Sequence, residues 1–253
     1  MALERGRPLT PPARLASLGD VTEPAPAADP TPALSPVAQD YLKVVWSATE
    51  WAERPVTTKL LAGRLGVGAS TVSETVRRLA DQGLLTHEPY GAVGLTDEGR
   101  RHALAMVRRH RLVETFLVEV LGYGWDEVHD EAEVLEHAVS DLFVERVAER
   151  LGHPVRDPHG DPIPGPDGSV VAPPATPMWD AAPGEWTVAR ISDADPDLLR
   201  YLDEVGIGID TPVTVGPRRD AVGTVGVTVA GRTLDLGQVA AHAIWIAPAD
   251  AAR

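Results

Sequence analysis

Apolar residues recur at helical spacing through most of the first 150 positions and alternate with polar ones after position 185. Ser35-Pro36 opens the first periodic stretch, since Ser is a good N-cap and Pro suits the first helical position. VAQDYLKVVWSATEWA follows, with Val37, Tyr41, Val44, Val45 and Ala48 as its apolar side. Asp40 falls in the first turn, where a carboxylate ordinarily compensates the helix dipole. TTKLLAGRLGV predicts a short helix with Leu60, Leu61 and Leu65 apolar, and the glycines at 66 and 68 predict a turn. ASTVSETVRRLADQGLL predicts a second helix with a capping box from Thr71 to Glu74 and a core face of Val72, Val76 and Leu79. LLTHEPYGAVGLTDEGRRHA reads as two short strands around a Gly-containing turn, and EGRRHALAMVRRHRLVETFLVEVLG as a long helix. A further helix is predicted from Asp126 to Arg146, packing through Leu135, Val139 and Leu142. Residues 153–184 are dense in Pro and Gly without a period and read as a tether. The last segment carries short alternating runs, EWTVARIS, TPVTVG, TVGVTVAGRTLDL and HAIWIAP. VAGRT marks a hairpin, and a helix over ADPDLLRYLDEVG separates the first two runs.

Composition sharpens this picture at three points. The first 33 residues are rich in Pro and Ala and are expected to be a disordered arm. No cysteine is present, which excludes disulfides, thiolate zinc sites and cysteine nucleophiles. No apolar run approaches the roughly 20 residues of a membrane span, and no signal peptide follows Met1, so a cytoplasmic location with no membrane partner is expected. The net charge is −14, yet residues 37–109 hold ten Lys/Arg against eight Asp/Glu and are therefore +2. That segregation suits a DNA-binding module on an acidic body. The two short helices and the following strands form a winged helix-turn-helix pattern. Ser70, Thr71, Ser73, Arg77 and Arg78 lie outward on the second helix, where base edges and phosphates of double-stranded DNA are met. A winged helix used only for protein contacts is the alternative.

The helix from Asp126 carries a second kind of chemistry. His129, Glu133, Glu136 and His137 are spaced by four, three and one, so they share a flank. Two imidazoles and two carboxylates on one flank can bind a divalent metal, and the bland alternative is a solvated face. His110 and Glu114 stand at i, i+4 on the preceding helix, one short connection away, and could converge on His129. His153 and His159 are loop histidines without a positioned partner and are not assigned as ligands.

From about Val37 to Gly165 the chain resembles the diphtheria-toxin-repressor family of metal-dependent transcriptional regulators. The motifs that carry the resemblance are YLKVVW, GASTVSETVRRL, RRHRLVETFL, VHDEAEVLEHAVSD and PHGDPIPG, in family order and at family spacing. The resemblance implies a mainly α fold with a β-rich C-terminal domain. Its parts would be an arm over 1–33, a winged helix-turn-helix DNA-binding domain over 34–105 and a helical dimerisation and metal-binding domain over 106–152. A Pro/Gly-rich tether over 153–184 and an SH3-like β-barrel over 185–250 would follow. It implies a homodimeric repressor acting on a near-palindromic operator, and not an enzyme with an organic substrate.

The resemblance also implies two metal sites. A primary site would draw on Asp40, Glu133, Glu136 and His137, and an ancillary site on His110, Glu114 and His129. Iron-responsive members place Met and Cys where this chain has Asp40 and Glu133, so the departure points to the manganese branch. The hard Mn(II) ion suits carboxylate oxygens. Fe(II) or another divalent metal is the alternative, as is a winged-helix regulator that senses an organic ligand. Compact manganese regulators place a Glu where this chain has Lys43, which favours two separated ions over a coupled pair. In longer members the SH3-like domain lends a Glu and a Gln to the ancillary site. Here the matching stretch is ISDADPDLL, whose Asp193 and Asp195 are the available substitutes, and neither is assigned.

Overall fold

The computed structural model describes residues 34–51, 55–87 and 91–249. The expected N-terminal arm and the tip of the wing lie outside these residues. The helix α1 (Pro36–Glu50) starts as anticipated, with the Ser35 hydroxyl accepting from the amide of Ala38. Its buried face is Ala38, Tyr41, Leu42, Lys43, Val45, Trp46 and Ala48, while Val37 is exposed. Asp40 lies beyond the first turn, so dipole compensation does not explain it. Helices α2 (Thr58–Leu65) and α3 (Ala69–Asp81) follow, separated by Gly66 in the left-handed region at φ 65°. Helix α3 begins with Gly68 as N-cap and has no side-chain cap. Thr71 is therefore inside the helix, and the expected capping box with Glu74 does not form. Strands β1 (Leu85–His87) and β2 (Val93–Leu95) pair antiparallel as a wing.

Helix α4 (Asp97–Phe116), capped by Thr96, continues into a π-helical turn at Leu117–Leu121. It packs Val113 and Leu117 against Val128 and Ala132 of α5 (Val128–Leu135). The single helix expected from Asp126 to Arg146 is broken, and α6 (Asp141–Arg150) starts separately. Two competitors end α5. The Arg109 guanidinium donates to the carbonyls of Glu136 and Val139, both at 3.1 Å, and Ser140 caps α6 by accepting from the Phe143 amide at 3.2 Å. The break resets the helical register, which leaves Leu142 exposed instead of core-facing.

The C-terminal part is a six-stranded antiparallel sheet in the order β3-β8-β4-β5-β6-β7. Its strands are β3 (Thr176–Pro177), β4 (Gly184–Ile191), β5 (Pro212–Arg219), β6 (Thr224–Val229), β7 (Arg232–Gly237) and β8 (Ile244–Pro248). The hairpin anticipated at VAGRT turns at Ala230 and Gly231, both at positive φ as a type I′ turn demands. Helix α7 (Pro196–Glu204) covers the core formed by residues such as Val188, Ile191, Leu199, Leu202, Ile244 and Ile246. A short helix, α8 (Gln238–His242), lacks a clear sequence signal.

The first part of the Pro/Gly-rich stretch, residues 157–164, is a largely buried strap rather than a loose tether. Asp157 and residues 159–164 are buried, and residues 176–177 already belong to the sheet. The strap is held by charge. Arg111 of α4 donates to both carboxylate oxygens of Glu50 at 2.9 and 2.6 Å and to the carbonyl of Pro162 at 2.6 Å. Asp161 accepts from Trp51 Nε1 at 2.6 Å and from Arg190 Nε at 2.7 Å. Arg190 is also stacked between Trp51 and Trp245, at 4.8 and 4.3 Å from the ring centres. Residues from α1, α4, the strap, β4 and β8 thus meet in one cluster.

Removing Arg111 leaves Glu50, Asp157 and Asp161 buried with one cation fewer. Arg111→Leu is expected to lower stability by about 3–5 kcal/mol. Urea denaturation of the metal-free protein measures this, and a loss under about 1 kcal/mol would show that the cluster is replaceable.

Candidate metal centre

A cavity of about 720 Å³ opens between α1, α4, α5 and the loop after β4, and the carboxylates of Asp40, Glu114, Glu133 and Asp193 line it. On the α1 side, His137 Nε2 lies 2.8 Å from Asp40 Oδ1 and 3.5 Å from Glu136 Oε1. Donor atoms of Asp40, Glu136 and His137 fall within 4.8 Å of one another. His137 Nδ1 contacts Gln39 Oε1 at 2.9 Å, which fixes the ring plane. Gln39 had no spacing signal to mark it, because only the fold brings the turn after α5 against α1.

On the α4 side, His110 bridges two buried carboxylates. Its Nδ1 donates to Glu136 Oε2 at 2.6 Å and its Nε2 to Glu114 Oε1 at 2.9 Å. His129 Nδ1 reaches Glu114 Oε1 at 3.2 Å and Asp193 Oδ2 at 3.1 Å. His110, Glu114 and His129 form a second set of donors within 4.8 Å. Asp193, left unassigned from sequence, is therefore in this cluster, whereas Asp195 is occupied as the N-cap of α7. Glu133 stands between the two groups. It accepts from Lys43 Nζ at 2.7 Å, lies 3.8 Å from His110 Nδ1, and is grouped with His110 and Glu136 rather than with Asp40.

The protonation pattern follows from this crowding. Burial alone would lower the pKa of His110, but Glu114 and Glu136 raise it to about 9. Burial likewise works against charge on His129, and Asp193 and Glu114 raise it to about 11. Burial opposes ionisation of Glu136, yet His110 and Lys43 hold its pKa below the ordinary value. Lys43 is buried, which disfavours its charge, but Glu136 and Glu133 keep it charged. Asp40 moves the other way, because burial outweighs the help of His137 and Lys43. One ammonium and two imidazolium groups thus face the carboxylates and offset part of their charge. Such a cavity fits a divalent cation: oxygen and imidazole donors converge, and an ion can replace protons that the imidazoles give up.

The DNA-side candidates are all on α3. Ser70, Thr71, Ser73, Arg77 and Arg78 are exposed, while Val72, Thr75, Val76 and Leu79 are buried. Ser73 returns its hydroxyl proton to the carbonyl of Ala69 at 2.9 Å. The outward face of this helix is therefore polar and basic, as a groove-reading helix requires.

His110 and His129 have folded pKa values of about 9 and about 11, against 6.5 in a free chain. A raised basic group stabilises the fold fully below its unfolded value, and that contribution is lost as pH rises through the folded value. The melting temperature of the metal-free protein is expected to fall between about pH 7 and pH 10, and His110→Gln to flatten the profile. A wild-type melting temperature that rises across this interval contradicts the imidazolium assignment.

Comparison with known proteins places the chain. Three family profiles match consecutive segments: "Iron dependent repressor, N-terminal DNA binding domain" over 33–93, "Iron dependent repressor, metal binding and dimerisation domain" over 96–165, and "FeoA domain" over 180–248. The diphtheria toxin repressor of Corynebacterium glutamicum is 33% identical over 220 residues, covering 81% of this chain and 93% of that protein. The iron-dependent repressor IdeR of Mycobacterium tuberculosis is 33% identical over 190 residues, 69% of this chain and 81% of the relative. Among solved structures, a manganese-dependent transcriptional repressor in complex with manganese is 60% identical, with TM-score 0.81 over 83% of this chain and 99% of that one. ScaR with bound Zn2+ is 33% identical, with TM-score 0.74 over 83% and 99%. Among the described residues no helix is long and apolar enough to cross a membrane. On this similarity, which runs through the DNA-binding, metal-binding and FeoA segments alike, the chain belongs to the diphtheria-toxin-repressor family of metal-dependent transcriptional repressors.

Proposed function

We propose that this repressor responds to Mn(II), acts in the cytoplasm as a homodimer on a near-palindromic operator, and carries no enzymatic activity. The observation that carries the reading is the Asp40–His137 contact of 2.8 Å, because it joins the first helix of the DNA-binding segment to the turn after α5. In this reading residues 34–105 bind DNA, 106–152 dimerise and bind metal, 153–184 connect and 185–250 form the SH3-like part. Asp40, Glu133, Glu136 and His137 serve the primary site, and His110, Glu114 and His129 the ancillary site.

Three carboxylates and one imidazole favour a hard ion, and the solved relative at 60% identity is described as a complex with manganese. Fe(II) is the second reading, because the sequence relatives are named iron-dependent repressors. A divalent ion would supply positive charge at the junction of two parts of the chain. Asp40 on α1, and Glu136 and His137 after α5, hold the junction closed through that charge. Glu133 is paired to Lys43 and joins them only by turning from it. A fixed junction orients α3, and a dimer then presents two such helices to successive major grooves, about 34 Å apart. Exposed Val120, Leu121, Leu142 and Phe143 supply apolar surface for the dimer contact.

Asp40→Ala is expected to keep fold and dimer but to lose at least about tenfold in metal-dependent DNA affinity. Titration of metal-free protein with Mn(II), anaerobic Fe(II), Co(II) and Zn(II) on DNA upstream of its own gene reads this. Full metal response in the variant contradicts the junction, and response to Fe(II) alone contradicts the manganese assignment. Arg77→Ala or Arg78→Ala is expected to weaken DNA binding and to reduce the salt slope by about 1. Unchanged affinity and slope in both variants would place DNA elsewhere.

A further inference from the structure

Glu136 and His137 lie in the turn that follows α5, and they reach two different helices. The Glu136 carboxylate meets His110 Nδ1 of α4 at 2.6 Å. The His137 ring meets Asp40 and Gln39 of α1 at 2.8 and 2.9 Å. A side chain on a turn is placed only as well as the backbone beneath it. The amides of this turn are held by α5. Glu136 donates to the carbonyl of Ala132 at 2.9 Å, and Ala138 and Val139 donate to that of Leu135 at 2.9 and 3.1 Å.

The carbonyls are held from another helix. Arg109 of α4 donates through Nη1 to the carbonyls of Glu136 and Val139, at 3.1 Å each, and pairs through Nη2 with the carboxylate of Asp141, the first residue of α6. One guanidinium thus spans the turn from its first carbonyl to the start of the next helix. Two carbonyls and a carboxylate demand a planar fork of donors, which an ammonium on a flexible stem does not present. The Asp141 side chain is almost wholly exposed, so that ion pair adds little by itself. What Arg109 supplies is geometry. It precedes His110 in α4, so consecutive residues grip Glu136 at both ends, one by its carbonyl oxygen and the other by its carboxylate.

We propose that Arg109 is a positioning residue for the metal cluster at Asp40, holding the turn from which Glu136 and His137 reach that cluster. The proposal rests on the metal-sensor reading for Asp40, Glu136 and His137. Among the described residues the hydrogen bonds of Arg109 go to backbone carbonyls and to Asp141, and none goes to a side-chain donor of the cluster. Its action is therefore indirect. Without it the turn keeps its amide bonds but loses the anchor on its carbonyls, and the two ligands must be ordered as the ion binds. Ordering at that moment lowers affinity. The link also connects the cluster to α4 and α6, so an ion drawn in by His137 and Glu136 pulls on both helices through one side chain.

The test is Mn(II) binding to the metal-free full chain, read from the electron paramagnetic resonance of free Mn(II), in wild type and in Asp40→Ala, Arg109→Gln and Asp141→Asn. Asp40→Ala identifies the ion that belongs to the cluster. That ion is expected to bind at least about tenfold more weakly in Arg109→Gln. Binding that survives in Asp40→Ala is expected to change by less than about twofold when Arg109→Gln is added, whereas a general loosening of the fold weakens both alike. Asp141→Asn removes one arm of the link at an exposed position, which guards against misfolding of the first variant. It is expected to weaken the same ion by about twofold. Unchanged binding of that ion in Arg109→Gln overturns the proposal, as does an equal loss in the binding that survives Asp40→Ala. If Arg109→Gln fails to fold, Asp141→Asn decides, and unchanged binding there overturns the proposal. Full Mn(II) binding in Asp40→Ala overturns the sensor reading and the proposal with it. Loss in Asp40→Ala alone overturns only the proposal.

Discussion

Glu114 and Glu136 are carboxylates that solvent scarcely reaches, and the molecule is arranged around keeping them charged. An isolated buried carboxylate would take up a proton. Here a single imidazole, His110, spans them and donates to each, while Lys43 supplies a second cation to Glu136. The arrangement demands that α1, α4 and the end of α5 meet at one place. Glu136 and His137, at the end of α5, are the residues that reach His110 and Asp40. Such pairs contribute little net stability against an apolar replacement, so their presence in a core points to a task other than stability.

A second charged cluster lies beside the first and gives it rigidity. Arg111 is one residue from His110, and its partners Glu50, Asp157 and Asp161 reach α1 and the strap. Asp161 holds Arg190, which Trp51 and Trp245 enclose. Asp157 also sets the backbone of His159, accepting from its amide at 2.9 Å. The cavity between α1, α4 and α5 is therefore walled by parts of the chain that are far apart in sequence and joined by buried hydrogen bonds.

The helical and strand periods revealed the secondary elements wherever one face was buried. The α1 cap, the helix-turn-helix and the VAGRT hairpin could be read because their signals are local. The break between α5 and α6 could not, since it depends on Arg109, 27 residues before Glu136. Asp40, Glu136 and His137 do converge, as do His110, Glu114 and His129. Glu133 was expected beside Asp40 but is drawn toward Lys43, a contact that helical spacing does not encode. His159 was set aside because its loop showed no partner. Its neighbours Glu114 and Asp193 come from α4 and from the residue two beyond β4, which only the folded chain brings together.

Lys43 separates affinity from selectivity. Its ammonium is tethered between Glu133 and Glu136 and stays near any ion those carboxylates bind. At about 4 Å and an effective dielectric constant of about 20, a dication and an ammonium repel by roughly 8 kcal/mol before their shared carboxylates offset it. That repulsion depends on the charge of the ion and not on its identity. It weakens Mn(II), Fe(II) and Zn(II) alike, and it penalises two dications sharing Glu133 and Glu136 most of all. Selectivity must then come from the donors themselves, oxygen-rich around Asp40 and more evenly mixed between oxygen and nitrogen around His129. One buried lysine in place of a carboxylate thus favours two separate ions of different preference over a coupled pair.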